Sequence, residues 1–490
     1  MKKRILSTLL AGLLLAPAFV SCINDDSKEF GSVPMAQIQL QSELQEQYDK
    51  EKMETLSLTA PDITQAPLQK DVSYTWEIGG KVVSTDKKLD YVCEDSGTFP
   101  GRLTIKNADN TVYRQFTVKV HFPYEEGVYA LATRDGKSVV TYVSERFKGE
   151  KVVYDAFGAE NLEVSFPLGK EPTALYYLNT RRFTEGKVSK EASLFYIATK
   201  NPNKFYRVQA DSMIVKKSFN EVSYGSPVTA VIDDWKADTE FQHGSGYVLI
   251  KQGNRIWAAN YESQGIGNFG VGQEHLAGTE IDDKLLVTAT QTLYNRDGVV
   301  VFDKKKGALF GFNDLRKFSY YNELGDYDYL GSFASGPGRW KVVSVFQKKD
   351  LSECKYYYFD PGANNKVDFT PALENVTIPG LKERPVLAVA RNTEFLFYAV
   401  GKQIFAHYVP VAKFPEQNTP LLTLDKEGSI VSLTLSPDGY KLIVGMDTPG
   451  AEKPGSIFVY DISRIERPAL LYKAENCTGS IKQVAYRPLD

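Results

Sequence analysis

Histidine and methionine are scarce in this 490-residue chain, at 4 and 5 residues. His121, His243, His275 and His407 share no helix or strand spacing that would bring two of them onto one metal. No HExxH or CxxC occurs. A GxSxG nucleophile elbow and a phosphate-cradling P-loop are also missing, so no local motif announces hydrolysis or nucleotide chemistry. There is no excess of positive charge: 58 Lys and Arg stand against 61 Asp and Glu, for a net charge of −3. That balance argues against a nucleic-acid partner, which asks for a basic face. The four cysteines, Cys22, Cys93, Cys354 and Cys477, are scattered and do not form a disulfide framework. Stability therefore has to come from packed cores, and the length suffices for more than one. Beyond residue 21 no apolar run is long enough to cross a bilayer.

What is present begins at the N-terminus. Lys2, Lys3 and Arg4 precede an apolar run from Ile5 to Val20. At about 16 residues it is short for a membrane span and right for a signal h-region. Ser21 and Cys22 follow, and a small residue before Cys at a cleavage point resembles a bacterial lipobox. The resemblance implies a signal peptide over 1–21, with Cys22 lipidated as the mature N-terminus. Stable anchoring takes more than one acyl chain. Residues 22–33 form an acidic linker, and Asn24-Asp25-Asp26-Ser27-Lys28-Glu29 resembles the tag that sends Bacteroidetes lipoproteins to the outer face of the outer membrane. Cleavage removes three positive charges, which takes the net charge from −3 to −6. It also leaves an odd number of unlipidated cysteines.

Tyr and Phe are abundant, at 29 and 27 residues, and with Val they favour strands. Over 34–123 the pattern predicts about seven short strands, the size of a small β-sandwich. Val72 to Ile78 alternates strictly, with Val72, Tyr74, Trp76 and Ile78 on one face, and Gly79-Gly80 turns the chain into Lys81 to Ser84. The segments Tyr74-Thr75-Trp76, Gly79-Gly80-Lys81, Leu89-Asp90-Tyr91 and Gly97-Thr98-Phe99 resemble the PKD-like domain of Bacteroidetes surface lipoproteins.

Residues 124–490 repeat. The clearest unit runs Ile430 to Leu435, a Ser436-Pro437-Asp438-Gly439 turn, Lys441 to Met446, then Ser456 to Ile462, and looks like a β-propeller blade. The innermost strand of that unit recurs as Ala174 to Leu178, Val228 to Ile232, Leu285 to Thr290, Lys341 to Phe346, Val386 to Ala390 and Ile481 to Tyr486. Successive starts lie about 44 to 57 residues apart, near the propeller period of about 40 to 50. The chain ends one strand into a unit, and the repeat opens at Val128 one strand short. Pairing the two would close a seven-bladed ring and hide two sheet edges. The expected fold class is all-β: an Ig/PKD-like sandwich followed by a β-propeller.

Candidate chemistry lies on loops. Asp233-Asp234 and Asp282-Asp283 are the tempting carboxylate pairs, each read first as solvated turn residues. The stretch Phe318 to Trp340 reads as a long aromatic loop, with Gly265 to Lys284 as a second long connection. Loops on a rigid scaffold carry binding residues disproportionately. Arg146, Phe147, Tyr320, Tyr327, Tyr329, Arg339, Trp340 and Arg384 are the candidate ligand-binding residues, because aromatic faces stack on rings while Arg donates to oxygen. No cofactor, metal or catalytic residue is expected.

The whole chain resembles PKD-like surface lipoproteins of Bacteroidetes nutrient-uptake loci. That resemblance implies capture of a small ligand and its transfer to a TonB-dependent outer-membrane transporter. A cationic and aromatic mouth favours a ferric catecholate siderophore. Glycan or peptide capture, and a propeller glycoside hydrolase with two converging carboxylates, stay open.

Overall fold

A computed structural model describes residues 34–489, except for 163, 186–187, 220–225, 234–246, 261–265, 271–272, 290–296, 313–316, 322, 337–340, 360–372, 379–382, 391 and 412–418. The signal peptide, Cys22, the acidic linker, Arg339 and Trp340 lie outside the described residues. The chain forms two compact units, one reaching to His121 and the other running from Phe122. Among the described residues no helix is long and apolar enough to cross a membrane.

The first unit is built on a five-stranded sheet in the order Gln47–Glu51, Thr111–His121, Gly97–Lys106, Ser73–Ile78, Lys81–Ser84. Two two-stranded sheets, Gln37–Leu40 with Ile63–Ala66 and Thr55–Thr59 with Lys88–Val92, complete it. Trp76 and Ile78 point into a core with Leu103, Phe116 and Val118, as the alternation predicts. The indole N–H of Trp76 donates to the carbonyl of Asp86 at 3.0 Å, so a large side chain is buried without stranding its polar atom. Gly79 and Gly80 both take positive φ, 59° and 77°, which a tight hairpin turn requires and other residues resist. Two strands escape the sequence reading. Gln47–Glu51 is polar because it is an edge strand, paired in parallel with Thr117 to His121. Ile63–Ala66 is only four residues long.

The second unit contains seven four-stranded antiparallel sheets among the described residues. Their innermost strands are Ser480–Arg487, Glu171–Glu185, Val228–Asp233, Leu286–Ala289, Tyr327–Ser335, Val386–Ala390 and Ser429–Leu435. In that order they are here called the strands of blades 1 to 7. Each innermost strand contacts the innermost strand of the next blade, and Ser480–Arg487 touches both Ser429–Leu435 and Glu171–Glu185, so the seven form a closed ring. This is a β-propeller.

Closure follows the expected exchange of strands. Gly127–Arg134 pairs with Ser480–Arg487 in the register Val128↔Tyr486 and Ala130↔Val484, with a bulge after Leu131. Val128, Val143, Ile443, Ile457, Ile481, Val484 and Tyr486 share one core spanning blades 7 and 1. The approach is close at Gly479, where a Cβ would sit 2.1 Å from the carbonyl oxygen of Thr133.

Blade 5 corrects the sequence reading. Lys341–Lys348 is its second strand, and the innermost is Tyr327–Ser335. Lys341–Lys348 is buried on both faces over six consecutive residues and so looks innermost. In Tyr327–Ser335 a register shift between Tyr329 and Gly331 breaks the alternation that would have marked it. The aromatic stretch is therefore not a long loop. Lys317–Tyr321 is the outer strand of blade 4, Tyr327–Ser335 opens blade 5, and only a short connection separates them. Likewise Gly265 to Lys284 holds the outer strand Ile266–Gly270 and a 3-10 turn, Gln273–Leu276.

Candidate functional site

The innermost strands all begin on one face of the ring. Their first residues are linked from blade to blade by short polar contacts. Thr173 Oγ1 donates to the carbonyl of Val228 at 2.6 Å, Thr229 Oγ1 to Asp283 Oδ1 at 2.7 Å, and Lys284 Nζ to the carbonyl of Tyr329 at 3.1 Å. Arg384 pairs with Asp328 across blades 5 and 6, and the Ile430 amide donates to the Gly401 carbonyl at 2.7 Å. Asp447 accepts from Ser480 Oγ at 2.6 Å and from the Ile481 amide at 3.0 Å. Gln483 Oε1 accepts the Leu175 amide at 3.1 Å, which returns to blade 2. Every junction of the ring is thus held at this face by a side chain or amide from a strand start.

Inside this collar is a cavity of about 650 Å³. Its wall consists of the starts of four innermost strands: Glu171 to Leu175, Thr229 to Val231, Asp282 to Leu285, and Lys482 with Gln483. It is the mouth of the ring. The acids are committed to lysines. Glu171 Oε2 lies 2.7 Å from Lys200 Nζ, and Asp282 Oδ1 lies 3.4 Å from Lys284 Nζ. Asp283 Oδ1 is 2.6 Å from Lys251 Nζ, whose side chain is only 6% exposed. Burial pushes the Asp283 carboxyl up, but the hydrogen bonds from Lys251 and Thr229 outweigh it and hold the group below the usual carboxylate range. Lys482 is exposed at the mouth and forms no ion pair with a described residue.

The sequence candidates separate. Tyr327 and Arg384 stand at the face where the strands begin. The Tyr327 ring has Lys355 Nζ 3.9 Å from its centroid, and Arg384 is committed to Asp328. Arg146 and Phe147 lie on the turn that follows Ser144. Ser144 is registered with Gly127, which faces Arg487 at the end of the closing strand. They are therefore at the opposite face, where Arg146 stacks on the exposed Phe147 ring at 4.6 Å. The expectation that Arg146 and Arg384 meet around one mouth is corrected. Tyr320 and Tyr329 are not at a mouth at all. Both are buried in the core between blades 4 and 5, where Tyr320 packs on Phe359 and Tyr329 on Phe302 and Phe346. The Tyr329 hydroxyl donates to Ser332 Oγ at 2.6 Å, and burial pushes its pKa well up. A strand-borne Tyr can bury its ring once its hydroxyl finds such a partner. Sequence reading flagged Asp282-Asp283 but missed Lys482, which carries no local motif.

His407 and the three described cysteines sit in the interior. His407 is buried, with Nε2 3.0 Å from the Tyr356 hydroxyl, and burial lowers its pKa. Cys93, Cys354 and Cys477 are buried free thiols, and burial pushes Cys354 and Cys477 up to about 12. Among the described residues no group of three His, Cys, Asp or Glu side chains could hold a metal ion.

No family model matches the chain. No curated protein matches it either. Among solved structures it is similar to a quinonprotein alcohol dehydrogenase-like protein from Bacteroides thetaiotaomicron, at 13% identity and TM-score 0.46 over 92% of this chain and 98% of that one. It is also similar to the WD40 domain of SCAP from fission yeast, at 10% identity and TM-score 0.35 over 64% of this chain and 75% of that one. Likeness at this level concerns fold alone, and one fold hosts many activities.

Proposed function

We propose that the chain is a surface lipoprotein that captures a small anionic ligand at the mouth of the ring and hands it to a TonB-dependent outer-membrane transporter. The observation that carries the ligand charge is Lys482, an exposed cation without an ion-pair partner among the described residues, in a cavity whose acids are already paired. A ferric catecholate siderophore is the favoured ligand on charge. Its aromatic support is weaker than the sequence implied, because Tyr320 and Tyr329 are core residues. The PKD-like unit serves as a spacer, and lipid on Cys22 attaches the chain to the membrane. A mouth built from paired carboxylates, Gln483 and Thr229 favours a second reading, a hydroxyl-rich glycan. Hydrolysis is disfavoured because Glu171, Asp282 and Asp283 are each tied to a lysine.

The test is calorimetric titration of the mature chain with a ferric catecholate siderophore and with neutral oligosaccharides. The ferric complex should bind, and Lys482→Gln should weaken it about tenfold, the range for losing one charge-assisted bond. Binding of the neutral glycan alone would leave the mouth as the site and remove the siderophore. Normal membrane fractionation of Cys22→Ala would remove the lipid anchor.

A further inference from the structure

We propose an oxyanion site on the seam between blades 7 and 1, outside the cavity of the mouth, that takes a doubly charged phosphate group. Its donors are Arg134, Lys453 and the hydroxyl of Tyr154. The observation behind it is a convergence: cations from two different blades meet one tyrosine ring. The guanidinium carbon of Arg134 lies 5.7 Å from the centre of the Tyr154 ring, and Lys453 Nζ lies 4.0 Å from it.

The backbone under all three residues is fixed. Arg134 ends the second strand of blade 1, Gly127–Arg134, and its neighbour Thr133 is registered with Ser480, the first residue of the closing strand. Arg134 therefore stands at the face where the innermost strands begin. Asp135 and Gly136 turn the chain back into Lys137–Ser144 with φ of 49° and 72°, the positive values of a two-residue hairpin. Lys453 comes from the turn joining the second and third strands of blade 7, which the Thr448 amide closes by donating to the Pro454 carbonyl at 2.9 Å. Tyr154 is held from behind. Its carbonyl accepts from Thr141 Oγ1 at 2.7 Å, and Thr141 Oγ1 lies 2.6 Å from Thr478 Oγ1, on the outer strand of blade 7. The closure of the ring thus sets the spacing of the donors.

The tyrosine ring gathers the two cations without neutralising either. Among the described residues Lys453 has no ion-pair partner and the Tyr154 hydroxyl has no hydrogen-bond partner, while Tyr154 is 43% exposed. Arg134 meets one acid, Asp135, whose Oδ2 lies 3.5 Å from its Nε on an exposed turn. That contact leaves both terminal nitrogens of the guanidinium. Asp155, next to Tyr154, is spent as the cap of the short helix Ala156–Glu160, where it accepts the Gly158 amide at 2.9 Å. Glu452, beside Lys453, is exposed. A phosphate offers two charges and several acceptor oxygens, enough to engage the guanidinium, the ammonium and the hydroxyl together. A single carboxylate offers one charge and two oxygens. Free phosphate and a lipid headgroup share this chemistry.

Arg134, Tyr154 and Lys453 do not line the cavity of the mouth, so this site stands or falls separately from it. The test uses the mature chain made without its acyl group, so that no lipid anchor draws it to a bilayer. Inorganic phosphate is titrated by phosphorus NMR line broadening, and co-flotation is measured with phosphatidylcholine vesicles with and without phosphatidic acid. Phosphate should bind, and Arg134→Gln and Lys453→Gln should each weaken it about tenfold. Lys453→Arg should retain most of the binding. Asp135→Asn removes the competing acid at a positive φ that Asn tolerates, and should tighten it. Lys482→Gln should leave it unchanged. Binding of free phosphate with this variant pattern supports a soluble source. The same pattern seen only with phosphatidic acid supports a headgroup. Absence of both, or indifference to Arg134→Gln and Lys453→Gln, overturns the site and leaves the proposal for the mouth standing. Loss of phosphate binding in Lys482→Gln places the anion at the mouth and overturns it as well. Failure of the mouth to bind a siderophore, with the phosphate pattern intact, does the reverse.

Discussion

At the face where the innermost strands end, Lys441 Nζ lies 2.9 Å from Glu126 and 2.8 Å from Glu145, and it also donates to the Tyr486 hydroxyl. At the face where they begin, Lys482 reaches into a cavity with no ion-pair partner among the described residues. The two lysines belong to the same seam between blades 7 and 1. Lys441 opens the second strand of blade 7, and Lys482 is the third residue of the closing strand, Ser480–Arg487. Lys441 is enclosed by groups that satisfy it. Burial works against its charge, but the hydrogen bonds it donates to Glu145 and Glu126 outweigh that and hold the ammonium above the ordinary lysine range. Burial and Glu126 push the Tyr486 hydroxyl far up, so it stays protonated and donates to both glutamates. Such a network holds a closure together and has little left to offer a ligand. The difference lies in what surrounds the amine, not in residue type, and it is why the mouth rather than the seam is read as the binding site.

The largest test of this contrast removes the closing strand. Deleting residues 480–490 unpairs Gly127–Arg134 and strips Ile481, Val484 and Tyr486 from the core of blades 7 and 1. At about 1.5 to 3 kcal/mol for each buried side chain, the loss is comparable to a whole domain's margin of about 5 to 15 kcal/mol. The truncated chain should lose its cooperative thermal transition. Melting at the wild-type temperature would show that the strand is peripheral.

Lys441→Met is the next in size. It leaves Glu126 and Glu145 facing each other and Tyr486 without their counter-ion, and Glu145 is buried. Breaking a buried pair costs about 3 to 5 kcal/mol, and the partial exposure of Lys441 places this case nearer 2 to 3 kcal/mol. Adding Glu126→Gln and Glu145→Gln should recover part of the loss in urea unfolding. If the triple variant is no more stable than the single one, repulsion between the glutamates is not the cause.

Asp283→Asn probes the mouth by pH. The carboxyl is held below its ordinary value of 3.8 in the folded protein. Its contribution to stability is therefore complete above about pH 3.8 and is lost as pH falls through the folded value. Wild type should exceed the variant in stability above that window, and the gap should narrow within it. A gap that stays constant with pH would place the effect in packing instead of charge.

Most of the ring was legible in the sequence, because an innermost strand is an apolar run recurring at a near-fixed spacing. Six of the seven expected runs coincide with innermost strands, and the seventh failed for a local reason. The bulge beside Gly331 hid Tyr327–Ser335, while Lys341–Lys348, covered on both faces, looked more like a ring-lining strand than the true one. The candidate site was much less legible. Tyr reads alike on a rim and in a core until its hydroxyl's partner is known, and Ser332 decides that for Tyr329. Arg146 and Arg384 look alike in sequence, since nothing there says on which face a turn will emerge. Asp282-Asp283 was visible as a pair, but the lysines that neutralise it come from strands 30 or more residues away or from the next position along.

The smallest expected effect on stability is the sharpest test of the comparison. Lys482→Gln removes a lysine that no described residue holds, so unfolding free energy should change by no more than about 0.5 kcal/mol. Lys441→Met, a few ångströms of chemistry but a different setting, should change it several times as much. If Lys482 is a binding residue, its loss should appear only when ligand is added. Bound ligand raises the melting temperature of a protein by mass action, and a tenfold weaker complex gives back about 1.4 kcal/mol of that gain at saturating ligand. The measurement is a pair of melting curves for each variant, with and without the ferric siderophore. Lys482→Gln should match wild type without ligand and fall below it with ligand. A Lys482→Gln chain already destabilised without ligand would mean that this lysine too is structural, and the contrast between the two ends of the seam would fall.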